Sequence, residues 1–312
     1  MRPFYPYIVA AYVLFTSIES PAQGQGSGVL DAGASASAII VGRTEFRDVP
    51  YVENGHERQR LDLFLPADNS KDHPLLVWIH GGAWEGGSKD RCPAKAMVIR
   101  GYVVASINYR LSQHAVFPAQ IEDCKAAIRW LRANALQYRI DPKRVGVWGA
   151  SAGGHLVALL GTTGHIRDFD VGENLDQSST VQSVINWFGP TDFLRYGGPT
   201  SLRLEQPGSV VAKLLGGKVS ENRDKARRAS PVYFVSSHSA PFLIMQGDKD
   251  NLVPLQQSEV LHAALKKAGV ESHLEVLPNA GHGGAAFTST ESLRLMAEFC
   301  DRHLIRTEVA AK

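Results

Sequence analysis

Three residue types in this chain sit where nucleophilic chemistry would need them. The stretch VGVWGASAGGHLVALL, residues 145–160, sets one hydroxyl, Ser151, among glycines and alanines. A serine at the tip of a strand-to-helix turn adopts a strained backbone that pushes Oγ clear of the chain. Side chains two positions away on either side would collide there, and those positions hold Gly149 and Gly153. A serine hydroxyl is a poor nucleophile at its ordinary pKa. It needs a base, an acid to orient that base, and donors for the oxyanion formed on attack.

Of the eleven histidines, only His282 lies in a small-residue loop, NAGHGG, between a strand-like run and the final helical one. His273 reads as strand and His262 and His303 as helix. His155 falls one turn into the helix after Ser151, where packing or a local hydrogen bond explains it. For the acid, MQGDKDNLVP offers Asp248 and Asp250. Asp250, further from the strand end and just before NLVP, is expected to reach the histidine. Asp248 is expected to cap backbone N–H groups of the turn.

The oxyanion donors are expected from HGGAW, residues 80–84, after the strand-like LLVWI. The N–H groups of Gly82 and Ala83 are assigned, together with that of Ala152 after the serine. Gly81 reads as a turn residue and His80 as a brace for the loop. Trp84, and Trp187 or Phe188 at a strand end, are candidates for an aromatic wall along the acyl or alcohol part of a substrate. Core packing is the other reading of Trp187. No Cys/His spacing matches a zinc site, and neither a metal nor a cofactor is expected.

These residues need a scaffold, and the pattern supplies one. RLDLFL (60–65) alternates apolar and polar positions, as an edge or half-exposed strand would. LLVWIH (75–80), YVVASINY (102–109), VGVWG (145–149), VQSVINWF (181–188), PFLIMQG (241–247) and HLEVLP (273–278) read as interior strands, several of them continuous apolar runs. Between them, Ile121, Cys124, Ile128, Leu131 and Ala135 form one helical stripe. PLQQSEVLHAALKKAGV starts after Pro254 and stops at Gly269, and TESLRLMAEFCDRHL is the last helix. Strand–helix alternation predicts an α/β fold, a doubly wound, mostly parallel sheet with helices on both faces. Residues 190–235 break the alternation after the strand-like run 181–188 and read as a small cap or lid, or as a plain surface insertion.

At 312 residues, 44% hydrophobic and 21% charged, the composition is that of a globular protein. A net charge of +2 without Lys/Arg runs argues against nucleic acid as a partner. Arg2 followed by sixteen uncharged residues and then ESPAQGQGSG describes a signal peptide over 1–24, hence secretion or periplasmic export, and the apolar run is short for a membrane span. Residues 25–37 read as a flexible leader and 38–312 as a single catalytic domain. Of the three cysteines, Cys92 and Cys124 are the pair to expect if an exported chain holds one bridge. The oligomeric state is left open.

HGGAW, GASAGG, GDKDNLVP and GHGG, in that order, resemble the α/β-hydrolase superfamily over residues 45–306. Within it the chain resembles the hormone-sensitive-lipase-like esterases. More narrowly, it resembles the secreted bacterial group that includes bifunctional acetylesterase/feruloyl esterase enzymes. The resemblance implies a Ser151–His282–Asp250 triad, hydrolysis of acetyl or feruloyl esters on plant polysaccharides, and no cofactor. The chain departs from many relatives at Ala83, where a third glycine is usual, and at Gln246, where histidine is common. It also lacks the N-terminal helical cap of the larger lipase-like members. HGGAW also resembles the loop of aryl formamidases, which act on N-formylkynurenine. A hydrolase fold kept only for binding is a further alternative, though such proteins usually lose a triad member.

Overall fold

A computed structural model describes residues 44–196 and 204–305. The expected signal peptide and leader (1–37) lie outside the described residues. So does the part of the 190–235 segment between 196 and 204. Eight strands form one sheet in the order β1-β2-β4-β3-β5-β6-β7-β8. They are β1 Glu45–Pro50, β2 Arg60–Phe64, β3 His73–Ile79, β4 Val103–Ile107, β5 Ile140–Ala150, β6 Ser183–Trp187, β7 Phe242–Gly247 and β8 Ser272–Leu277. β2 pairs antiparallel with β1 and β4, and every pairing from β4 through β3 to β8 is parallel. This is the doubly wound architecture the alternation predicts, with the chain reversing its direction of travel between β3 and β5.

Alternate residues of the central strands feed two cores. Leu75, Val77 and Ile79 of β3 join Val145 and Val147 of β5 beneath α1 (Ala119–Ala133) and α2 (Ala152–Thr163). Leu76, Trp78 and Trp148 face the other way, toward the 3-10 helix Pro93–Arg100 and the C-terminal helix Thr290–Leu304. Ile121, Cys124, Ile128 and Leu131 of α1 are buried as their spacing predicts, and so is Ala135 just past its end.

β2 departs from the sequence reading. It is an interior strand, because β1 pairs along its outer side. Its polar position, Asp62, is fully buried. The carboxylate takes Lys89 Nζ at 2.8 Å, Arg47 at 2.7 Å and the Asp48 N–H at 2.9 Å. Burial pushes the Asp62 carboxyl up, but these donors outweigh it and hold it below its ordinary value. A polar residue in the alternation thus marks an ion-paired position rather than a solvent face.

The cysteines are corrected too. All three are free thiols. Cys124, on the buried side of α1, belongs to one core, whereas Cys92 packs against the core on the opposite face, so the sheet stands between the two expected to pair.

The helices in the described parts of the 190–235 segment are α3 (Val210–Leu215), α4 (Arg223–Arg228) and the 3-10 helix Pro231–Phe234. Leu214, Leu215 and Ala226 are fully buried in the α1/α2 core. The remaining long helix is α5 (Leu255–Lys267), which ends before Gly269 at φ +76° as read. With it in place, the C-terminal helix is α6. No helix among the described residues is long and apolar enough to cross a membrane.

Candidate active site

The loops after β3, β5, β7 and β8 meet at the carboxyl ends of the parallel strands, where such sheets open a crevice at their switch point. Ser151 stands between β5 and α2 with φ 55° and ψ −117°, a conformation that costs an L-residue about 1–3 kcal/mol. Neighbouring backbone holds it there: the Ser151 N–H donates to the Trp187 carbonyl at 2.9 Å, and its own carbonyl accepts from His155 N–H at 2.9 Å. The flanking glycines are needed for closeness. A Cβ on Gly149 would strike the Gly153 carbonyl, and one on Gly153 would strike the Ile79 carbonyl at the end of β3.

The three residues singled out from the sequence come together. His282 Nε2 lies 2.8 Å from Ser151 Oγ, and His282 Nδ1 lies 2.7 Å from Asp250 Oδ2. A carboxylate only accepts, so Nδ1 carries the proton and Nε2 is left to accept from the hydroxyl. His282 sits in a tight turn between Gly281 and Gly283, its ring 4.5 Å from that of Phe188. The Asp250 side chain is fully buried. Its Oδ1 accepts from the Leu252 and Val253 N–H groups, both at 2.9 Å. Burial pushes this carboxyl up, but the His282 hydrogen bond and charge and the two backbone donors prevail and hold it below its ordinary value.

The loop after β3 lies against the serine: a Cβ on Gly81 would be 3.3 Å from Ser151 Cβ. Gly82, Ala83 and Trp84 all take positive φ, at 112°, 53° and 58°. The N–H groups of Gly82, Ala83 and Ala152 meet no protein acceptor among the described residues. The arrangement therefore offers free donors beside an oriented hydroxyl, the combination acyl transfer requires.

His80 braces this loop as read, with partners that could not be read. Its Nδ1 donates to the Gly81 carbonyl at 2.7 Å, and its Nε2 accepts from Arg58 at 3.1 Å. Its ring stacks on Tyr109 at 4.5 Å. Arg58 also donates to the carbonyls of Tyr109 and Gly87. Burial pushes His80 down to about 4, so the imidazole is neutral.

Two other expectations are corrected, for Trp84 and Asp248, and the two readings of Trp187 are decided. Trp84 does not form a substrate wall. It is 3% exposed, it packs edge-on against His155 and Phe193, and its indole N–H donates to His155 Nδ1 at 3.2 Å. Trp187 is buried among Trp78, Trp148 and Phe287, so its core reading holds. Asp248 is exposed and its carboxylate accepts no hydrogen bond from the described residues. Backbone bonds from Asp248 N–H to Leu277 and from Lys249 N–H to Ala280 hold the turn.

His155 is fully buried, as its packing role requires, and its Nε2 donates to the Ala229 carbonyl at 2.6 Å. Arg58 and Gln246 went unassigned from the sequence. Gln246 Nε2 donates to Asp250 Oδ2 at 2.9 Å. Arg58 lies far from its partners along the chain and carries no local signal. The departure at Gln246 marked the position without revealing its contact.

The sheet and its loop-borne site define an α/β-hydrolase fold of the esterase type. Residues 61–265 match the BD-FAE family model, and the chain belongs to that family. It is similar to Esterase LipQ of Mycobacterium tuberculosis, 32% identical over 259 residues that cover 80% of this chain and 60% of LipQ. The chain spans about 60% of the length of LipQ and of the probable carboxylic ester hydrolase LipM of the same organism. Among solved structures it resembles a truncated carbohydrate esterase from gut microbiota, with a TM-score of 0.74 and 32% identity, covering 84% of this chain and 97% of that one. It also resembles an acetyl ester-xyloside bifunctional hydrolase from Caldicellulosiruptor lactoaceticus, with a TM-score of 0.64 and 26% identity, covering 78% and 86%.

Proposed function

We propose that this chain is a serine carboxylesterase that removes short acyl groups from esters through an acyl-enzyme. Ser151 Oγ attacks the ester carbonyl as His282 Nε2 takes its proton. Asp250 holds the imidazole and offsets the positive charge it gains. The oxyanion rests against the N–H groups of Gly82, Ala83 and Ala152. Collapse of the tetrahedral species expels the alcohol with the proton held on His282, and a water activated by the same ring releases the acid. The reading rests above all on the hydrogen-bonded row Ser151–His282–Asp250, at 2.8 and 2.7 Å.

For the substrate we infer acetyl or feruloyl groups on plant polysaccharides. The carbohydrate esterase and the acetyl ester-xyloside hydrolase among the similar structures support this class. The N-terminal pattern supports export to meet such polymers. The test is a rate profile on acetyl, butyryl, octanoyl and feruloyl esters, with acetylated xylan and N-formylkynurenine alongside, for the wild type and Ser151→Ala. The acetyl or feruloyl ester should be fastest, and Ser151→Ala should lose nearly all turnover while a fluorophosphonate labels the wild type alone. Full activity in Ser151→Ala refutes the mechanism, and a preference for N-formylkynurenine refutes the substrate class.

A further inference from the structure

Gln246 is the penultimate residue of β7 and is fully buried, with every polar atom of its side chain engaged. Nε2 donates to Asp250 Oδ2 at 2.9 Å and to the Val253 carbonyl at 3.2 Å. Oε1 accepts from Ser258 Oγ of α5 at 2.9 Å. The amide fits only one way round, because carboxylate and carbonyl oxygens cannot donate and the NH2 must face them.

Asp250 Oδ2 therefore receives two donors, Gln246 and His282, and Oδ1 receives two more from the Leu252 and Val253 N–H groups. A carboxylate has about four lone-pair sites, so this one is saturated. The torsion that turns a carboxylate plane is soft, and hydrogen bonds rather than a rotamer well must fix it. Without Gln246, the oxygen facing the imidazole would keep a single partner inside a buried site.

We propose that Gln246 is a positioning residue for the esterase reaction, its amide locking the Asp250 carboxylate in the plane from which Oδ2 meets His282 Nδ1. The inference rests on the catalytic reading of Ser151, His282 and Asp250. A neutral amide donates without adding a titrating group. The titratable groups that face Asp250 are His282 and, from the segment after β6, Tyr196. α5 presents the neutral Ser258 while Glu259 is exposed, and Asp248 and Lys249 on the same loop are exposed.

Gln246→Met keeps the side-chain volume and removes the donor. Its kcat should fall about tenfold, the worth of one hydrogen bond to a charged group, with KM within about twofold. Circular dichroism should be unchanged, and the downfield proton resonance of the His282–Asp250 hydrogen bond should move or broaden. In Gln246→Glu the introduced carboxyl can donate only while protonated, and beside Asp250 the two acids share one proton. That variant should turn over while the pair of acids holds its proton and lose activity with rising pH as that proton leaves, a decline absent from the wild type and from Gln246→Met. A folded Gln246→Met enzyme with kcat within twofold of the wild type overturns the proposal, as does a Gln246→Glu profile that matches the wild type. If Gln246→Met does not fold, the Gln246→Glu profile decides alone. Turnover retained in Ser151→Ala would instead sink the underlying catalytic reading, whichever way the Gln246 variants behave.

Discussion

Acidification from about pH 7 to about pH 5 should weaken this protein through two histidines shut away from solvent. His80 and His155 are 4% and 0% exposed, and burial brings each from 6.5 down to about 4. The folded protein keeps both rings neutral over a range in which the unfolded chain takes up a proton at each. The stability they contribute is therefore complete above about 6.5 and erodes as the pH falls toward 4. With these values each ring loses about 2 kcal/mol between pH 7 and pH 5. His155→Gln isolates one of them, since the amide retains a donor for the Ala229 carbonyl and cannot titrate. Urea unfolding followed by tryptophan fluorescence at the two pH values gives the comparison. The wild type should lose about 2 kcal/mol more than the variant. Parallel losses in the two proteins would show that His155 is not held neutral by burial.

Arg58→Met should leave the fold intact and lower kcat/KM about tenfold, because it removes a charged donor from His80 Nε2 and frees the loop bearing Gly82 and Ala83. Steady-state kinetics beside a melting curve check this, and an unchanged kcat/KM would exclude the brace. Burial pushes the Cys92 thiol up to about 11 and raises those of Cys124 and Cys300. Ellman's reagent at neutral pH should thus find all three thiols in denaturant without reductant and almost none in the native protein. Recovery of only one in denaturant would mean a disulfide.

Ser151, His282 and Asp250 were legible because each announces itself locally: glycines crowd the serine, small residues surround the histidine, and two carboxylates follow a strand. The parallel strands were legible for a similar reason, since burial on both faces leaves continuous apolar runs. Contacts between distant segments were not. Arg58 sits on the turn between β1 and β2 and reaches His80 only after the sheet is assembled. Asp62 follows the alternation of an exposed face, yet it is buried because Lys89 and Arg47 converge on it from elsewhere. Trp84 beside a glycine-rich loop looks like a substrate wall until Phe193 and His155 close over it. Cys92 and Cys124 looked like partners because nothing local tells which side of the sheet each segment takes.

One imidazole fastens three pieces of this fold. His155, on the helix that begins beside Ser151, accepts a hydrogen bond from Trp84 of the loop after β3 and donates one to the Ala229 carbonyl at the end of α4. A chimaera that imports another hydrolase's segment between β6 and β7 would have to bring a carbonyl to that same spot. Otherwise the graft leaves a ring nitrogen stranded, and the disturbance passes through the indole into the loop that carries Gly82 and Ala83. Specificity in this scaffold is thus best retuned by side-chain exchange around a retained anchor rather than by transplanting the whole segment.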